Sequence, residues 1–184
     1  MHWQQWPWQM RLSAQKKEDF EKWVSLSVPE KFFFENRNQS HFNVRATPYY
    51  LSLIDSSDEF DPIRRIAIPQ VTEQQQTQDF SELDPLGERK NNPVERIIHR
   101  YADRVLFLIT DICSVYCRYC TRKHFTGQEQ FLVGQNDYQE ALTYIRKQKG
   151  IREVILSGGD PLTLSDEISA GILKDLRQIE HIDI

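Results

Sequence analysis

The sequence predicts an α/β chain in which a helical N-terminal region precedes a strand–helix–strand–helix run. Three observations predict it. Residues 105–109 and 154–156 are short apolar runs of the kind that form buried strands. Helical periodicity follows each of them, with Tyr138, Ala141, Leu142 and Ile145 on one stripe and Ile168, Ile172, Leu173, Leu176 and Ile179 on the other. Finally, each apolar run leads into a loop carrying chemistry, the first holding three cysteines and the second a Gly-Gly-Asp turn. A strand, a crossover helix and a second strand make a right-handed parallel unit.

In chain order, Trp3, Trp6 and Trp8 crowd the start around Pro7. Aromatic surface of that size favours burial by about 25 cal/mol per Å², so these rings are expected to pack on the chain or on another subunit. Ser13 is placed to cap a helix over residues 14–26, with Phe20, Trp23 and Val24 as its apolar face and Pro29 ending it. Phe32, Phe33 and Phe34 begin a further helical or irregular segment, blurred by the polar run 35–41. Thr47 before Pro48, and Asp61 before Pro62, place proline at helix starts. Arg64 and Arg65 read as a solvated pair, with a phosphate contact as the sharper alternative.

Residues 71–98 read as a surface linker between a helical region, 1–70, and the start of a core domain, 99–184. The linker is polar, with Gln74, Gln75 and Gln76 in a row and Pro85, Gly87 and Pro93 as punctuation. Residues 94–101 lead into the first strand. Asn136 or Asp137 is expected to cap the next helix and Gly150 to close it; Ser165 is expected to cap the last.

The chain of 184 residues suffices for a sizeable core. A formal net charge of −4 argues against a non-specific nucleic-acid binder, and the tryptophan cluster lacks the basic groove of a stacking platform. No apolar run approaches the roughly 18 residues of a membrane span, and residues 1–10 lack the pattern of a secretory signal. Reduced thiols and a cytoplasmic setting are expected.

All three cysteines fall at Cys113, Cys117 and Cys120, spaced C-x3-C-x2-C. Soft thiolates select iron–sulfur clusters, zinc or Cu(I). With His124 as a fourth ligand the set is a Cys3His zinc site. Without it, the three thiolates leave one iron of a [4Fe–4S] cluster open to another ligand. The spacing leaves both readings standing. The second feature, Ser157-Gly158-Gly159-Asp160-Pro161, places two glycines at the carboxyl end of a strand, where α/β proteins bind ligands and where glycine admits close backbone approach. Alone, it reads more readily as a plain strand–helix turn.

Together the two motifs resemble those of the radical S-adenosylmethionine superfamily. The resemblance is closer to the lysine 2,3-aminomutase family, in HRYADRVLFLITDICSVYCRYCTRKHFTGQ (residues 99–128), SGGDPL (157–162), TPYYLSLID (47–55) and DPIRRIAIPQ (61–70), and it runs from about Trp3 to the last residue. It implies the first βα units of a partial (β/α) TIM-like barrel, cut after residues 181–184, which read as the opening of a third strand.

It also implies a set of roles. Cys113, Cys117 and Cys120 would hold a [4Fe–4S] cluster. Ser157, Gly158, Gly159, Asp160 and Tyr119 would lie at S-adenosylmethionine. Arg100, Tyr101 and Arg104 would hold the phosphate of pyridoxal 5′-phosphate, and Arg122 the carboxylate of the substrate. The family reaction moves an α-amino group to the β-carbon through a 5′-deoxyadenosyl radical and a pyridoxal aldimine. The pyridoxal lysine would lie beyond residue 184, which makes this chain an incomplete, inactive enzyme. A free amino acid substrate, an electron donor such as flavodoxin or ferredoxin, and homo-oligomerisation of the full-length protein are further implications. The alternatives are a zinc-stabilised binding module on Cys113, Cys117, Cys120 and His124, or a non-catalytic cluster-binding remnant.

Overall fold

The computed structural model describes residues 2–36, 43–75, 84–123, 125–127 and 133–184, and of 74 and 75 only the backbone. His124, the fourth ligand of the alternative zinc site, the linker's Gln76 and most of the polar run 35–41 lie outside the described residues. The architecture is mixed α/β and divides into two compact units: Met1–Leu83 with Ser114–Lys123, and Asp84–Cys113 with His124–Ile184.

The first unit is a set of short helices: α1 (Trp6–Arg11), α2 (Lys17–Phe20), α3 (Val28–Glu35), α4 (Pro48–Leu51), α5 (Pro62–Ala67) and α6 (Thr72–Gln75). Helices this short are not stable alone and depend on packing. Phe20, Val24, Leu26, Phe33, Val44, Ala46, Leu51 and Ile68 form the buried core. Trp3 gathers the aromatics, with its ring 5.9 Å from Trp8, 6.0 Å from Trp23 and 6.5 Å from Tyr49. Trp6 stays 47% exposed.

The expected helix over 14–26 shrinks to α2. Ala14 is drawn instead into a β-bridge with Ala46, and the Ser13 hydroxyl donates to the Gln9 carbonyl at the end of α1 rather than capping α2. Pro29 does not end a helix but sits in the first turn of α3. There Ser27 and Glu30 form a capping box, a signature written in Ser27-Val28-Pro29-Glu30. Thr47 and Asp61 cap α4 and α5 as their side chains suggest, accepting from Tyr50 N–H and Arg64 N–H. Arg64 is neither solvated nor at a phosphate. It is 2% exposed and forks onto Glu30, with Nε–Oε1 at 2.8 Å and Nη2–Oε2 at 2.7 Å, and Nη2 also donates to the Ser25 carbonyl at 2.7 Å. Arg65 lies over the Phe60 ring at 4.7 Å.

The second unit is built on a sheet ordered β1 (Ile97–Tyr101), β2 (Arg104–Thr110), β3 (Glu153–Gly158). The segment read as a lead-in is β1, antiparallel to β2. β2 and β3 run parallel, with Val105 opposite Val154 and Phe107 opposite Leu156. The crossover between them is α7 (Gln135–Lys147), and α8 (Asp166–Arg177) follows β3.

Ile97, Val105, Phe107, Ile109, Ala141, Leu142, Ile145, Ile172, Leu176 and Ile179 form this unit's core. The N-cap of α7 is Gly134, ahead of the expected Asn136 or Asp137, with no side-chain cap. Gly150 lies beyond the α7 C-cap, Gln148. Ser165 caps α8 by accepting from Ile168 N–H. On α8, Leu173 (53%) is exposed because Ile172, Leu176 and Ile179 at i, i+4, i+7 set the inward direction, while Ile168 shares their stripe but is 38% exposed in the first turn. The Tyr138 hydroxyl ties α7 to α8 by donating to Asp175 Oδ2 at 2.8 Å. Residues 183–184 run along the start of β3, with Val154 N–H donating to the Ile184 carbonyl at 2.9 Å and Asp183 N–H to the Arg152 carbonyl at 2.9 Å. No helix among the described residues is long and apolar enough to cross a membrane.

Candidate functional site

The carboxyl ends of β2 and β3 meet. Gly159 N–H donates to the Thr110 carbonyl at 2.6 Å and Asp160 N–H to the Ile112 carbonyl at 2.7 Å. Ile112 immediately precedes Cys113, so the Gly-Gly-Asp turn is hydrogen-bonded beside the first cysteine. Gly158 has φ +110°, a region that favours glycine, and a Cβ there would overlap the Thr110 carbonyl. A Cβ on Gly159 would overlap the Ile112 carbonyl. The two glycines therefore permit a close approach of backbone to backbone. Since the Gly159 and Asp160 N–H groups are already given to the end of β2 and the residues after it, the turn's contribution to a ligand would come from its carbonyls. An Asp160 oxygen accepts from Leu162 N–H at 3.1 Å and caps the 3-10 turn Pro161–Thr163. Ser157, on β3, is half-buried.

After Cys113 the chain enters the first unit. Val115 is buried in that unit's core and bridges Ala46, and Tyr116 N–H donates to the Arg45 carbonyl at 2.9 Å. Cys117 and Cys120 are joined by a turn in which Cys120 N–H donates to the Cys117 carbonyl at 2.9 Å. Arg122 N–H points at Cys120 Sγ, 3.4 Å away, and the Arg122 residue is half-buried. Tyr119 is 70% exposed while its hydroxyl hydrogen-bonds Cys117.

Burial pushes the Cys117 thiol above its ordinary range, and the neighbouring Cys120 adds to this. Tyr119 is raised first by the charge of Cys117, and Tyr50 first by its own burial and then by Cys117. A metal at this loop would have to displace the proton that burial holds on the Cys117 thiol.

All three cysteines are thiols outside any disulfide, and all are half-buried. Among the described residues, no three His, Cys, Asp or Glu side chains are gathered into a metal-holding group. The donor chemistry nonetheless suits iron: three thiols within eight residues, the first of them beside a glycine turn.

Arg100, Tyr101 and Arg104 lie at the other end of β2. Six residue steps along a strand, about 20 Å, separate Arg104 from Thr110. Tyr101 and Arg104 face each other across the β1–β2 hairpin. Arg104 Nε is 3.2 Å from Glu153 Oε2 and 3.7 Å from Asp103 Oδ1, and Arg100 Nη1 donates to the Leu86 carbonyl at 3.2 Å. The structure does not bring these three to the Gly-Gly-Asp turn, and Arg104 is already held by carboxylates.

Sequence reasoning passes over Arg118, Glu73 and Tyr50. Arg118 stands inside the C-x2-C spacing, which is a usable signal. Glu73 and Tyr50 lie 45 and 68 residues before Arg118, with nothing local to mark them.

Comparison with known proteins adds a second line. The family described as the Radical SAM superfamily matches residues 107–184. The L-lysine 2,3-aminomutase of Fusobacterium nucleatum is 42% identical over 182 residues, covering 99% of this chain and 42% of that protein. The L-lysine 2,3-aminomutase of Clostridium subterminale is 42% identical over 182 residues, covering 99% of this chain and 43% of that protein. The glutamate 2,3-aminomutase of Clostridioides difficile is 36% identical over 181 residues, covering 98% of this chain and 42% of that protein. The chain thus spans well under half the length of these relatives.

Proposed function

We propose, for a chain that carries a radical SAM segment and is related along nearly its whole length to lysine and glutamate 2,3-aminomutases, that it forms the cluster- and cofactor-binding part of an amino acid 2,3-aminomutase. Its β2–α7–β3–α8 run is read as the opening of a partial (β/α) barrel. The observation that carries the proposal is the hydrogen bond from Asp160 N–H to Ile112, which sets the Gly-Gly-Asp turn against the entry to the cysteine loop.

In this reading Cys113, Cys117 and Cys120 hold a [4Fe–4S] cluster. Ser157 and the carbonyls of Gly158 and Gly159 orient S-adenosylmethionine, and Asp160 keeps the turn in shape through its cap. When bound, the cluster and S-adenosylmethionine supply the one-electron radical chemistry. The protein's share is placement: the half-buried loop limits water around the thiols, and Tyr119 presents an exposed ring beside Cys117. Arg122 offers a guanidinium fork suited to an α-carboxylate, which would fix one orientation of a free amino acid.

If this chain takes pyridoxal 5′-phosphate, Arg100, Tyr101 and Arg104 are the residues the resemblance assigns to its phosphate. An anion there would compete with Glu153 and Asp103 for the half-exposed Arg104. Cytoplasmic location, an electron donor such as flavodoxin or ferredoxin, and oligomerisation remain part of the same proposal.

The test is anaerobic incubation of the iron-reconstituted chain with S-adenosylmethionine, a reductant and single amino acids, lysine and glutamate first. Cleavage of S-adenosylmethionine to methionine supports the cluster site, and faster cleavage in the presence of one amino acid than of the others points to the substrate. Failure of wild-type protein to cleave S-adenosylmethionine any faster than Cys117→Ala counts against the proposal.

A further inference from the structure

We propose that Arg118 and Glu73 form a clamp that fixes the turn carrying Cys117 and Cys120 before any metal binds. The inference rests on the reading of that loop as a cluster site. Arg118 stands between the two cysteines and is 7% exposed. An arginine buried to that degree requires matched partners, and it has them on several sides. Its Nη2 donates to Glu73 Oε2 at 2.8 Å, and its Nε lies 3.0 Å and 3.2 Å from the two Glu73 oxygens. Its Nη1 donates to the Asn43 carbonyl at 2.9 Å, and the guanidinium stands over the Phe33 ring at 5.8 Å. Its backbone N–H donates to the Ile66 carbonyl at 2.9 Å.

Phe33, Asn43, Ile66 and Glu73 come from four separate pieces of the first unit, and all converge on one residue. The turn closes around that residue through the Cys120 N–H to Cys117 carbonyl bond. Lysine could not replace it, since only the planar fork engages both Glu73 oxygens while still reaching Asn43.

Glu73 depends on the pair in turn. It belongs to α6, a helix of four residues that cannot hold itself. Its Oε1 also accepts from Gln70 N–H at 3.3 Å. The clamp therefore orders the loop and the segment 70–73 together. Its value to a cluster site is entropic: thiols on an ordered turn have less freedom left to lose when they become ligands. Arg118 is thus a positioning residue that acts through the turn between its two cysteine neighbours.

The experiment is amide hydrogen exchange on the metal-free chain, comparing wild type, Glu73→Gln and Arg118→Lys, followed by iron reconstitution of each. In Glu73→Gln the Arg118 and Cys120 amides should exchange at least about tenfold faster, as expected when a charge-assisted pair is lost. Arg118→Lys should fall between, and the α7 amides should not change. After reconstitution, iron per chain should fall in the same order and the reduced cluster should give a heterogeneous resonance signal.

Unchanged exchange at Cys120 in Glu73→Gln overturns the clamp. Loss of protection across the whole first unit in both variants also overturns it, because the pair would then support the fold and not the loop specifically. If wild type takes up no iron, the cluster reading fails, and the exchange comparison still decides the clamp.

Discussion

Gly158 and Gly171 offer a paired test of how the site is built, because the same substitution should act with opposite signs. Gly158 ends β3 at φ +110°, and a Cβ there would overlap the Thr110 carbonyl and crowd the Phe125 ring. Alanine costs about 1–2 kcal/mol in the left-handed conformation. The overlap is with backbone, so β2 and β3 must separate at their carboxyl ends. That separation weakens the bonds from Gly159 N–H to Thr110 and from Asp160 N–H to Ile112, at about 0.5–1.5 kcal/mol each. Gly158→Ala should therefore destabilise the second unit by roughly 2–5 kcal/mol, against the about 5–15 kcal/mol typical of a whole domain.

Gly171 lies in α8, with no atom within 4 Å of the point where a Cβ would sit. Alanine there should stabilise by about 0.5–1 kcal/mol, the helix-propensity difference. Urea unfolding followed by circular dichroism reads both, with midpoints shifting down for Gly158→Ala and up for Gly171→Ala. Equal and small shifts would refute the claim that the Gly-Gly turn exists for backbone contact with β2.

Other outcomes follow from the same geometry. Glu30→Ala should cost about 3–5 kcal/mol, since it strands a buried arginine. Burial works against the Glu30 carboxylate, but its bonds from Arg64 and Ser27 hold it below the ordinary range. Its contribution is thus present above the unfolded value of about 4.3 and is lost as pH falls through the lower folded one. A pH series of unfolding free energies for wild type and Glu30→Gln should show their difference shrinking in that acid window. Tyr138→Phe should cost about 1–2 kcal/mol by removing the bond to Asp175. Burial and Asp175 push the Tyr138 phenol above its ordinary value. The wild-type advantage should therefore hold below about pH 10 and fade as pH rises toward the folded value, which thermal melts on the two proteins would read.

The parts legible in the sequence are those with local signatures. Apolar runs mark β2 and β3, and cap-plus-proline pairs mark α4 and α5. The cysteine spacing and the Gly-Gly-Asp turn mark the candidate site, because their signals lie within a few residues. What is not legible depends on distant partners. Arg64 reads as a surface charge until Glu30, 34 residues away, is seen to fork with it. The 14–26 helix reads well by period, yet Ala14 pairs with Ala46. Arg118 carries a charge in a motif otherwise read for its thiols, and its partner Glu73 sits in a stretch that reads as linker. The Ser27–Glu30 capping box is local and still escapes a reading that treats Pro29 as a stop, because proline is equally at home in the first turn of a helix.

The central claim, that this loop holds a cluster with an iron open to S-adenosylmethionine, is tested most directly by paramagnetic resonance of the anaerobically reconstituted, reduced chain with and without that cofactor. The account predicts a brown protein with about four irons, a signal that changes when S-adenosylmethionine is added, and loss of both in Cys117→Ala. A colourless protein that retains zinc and ignores iron would contradict it.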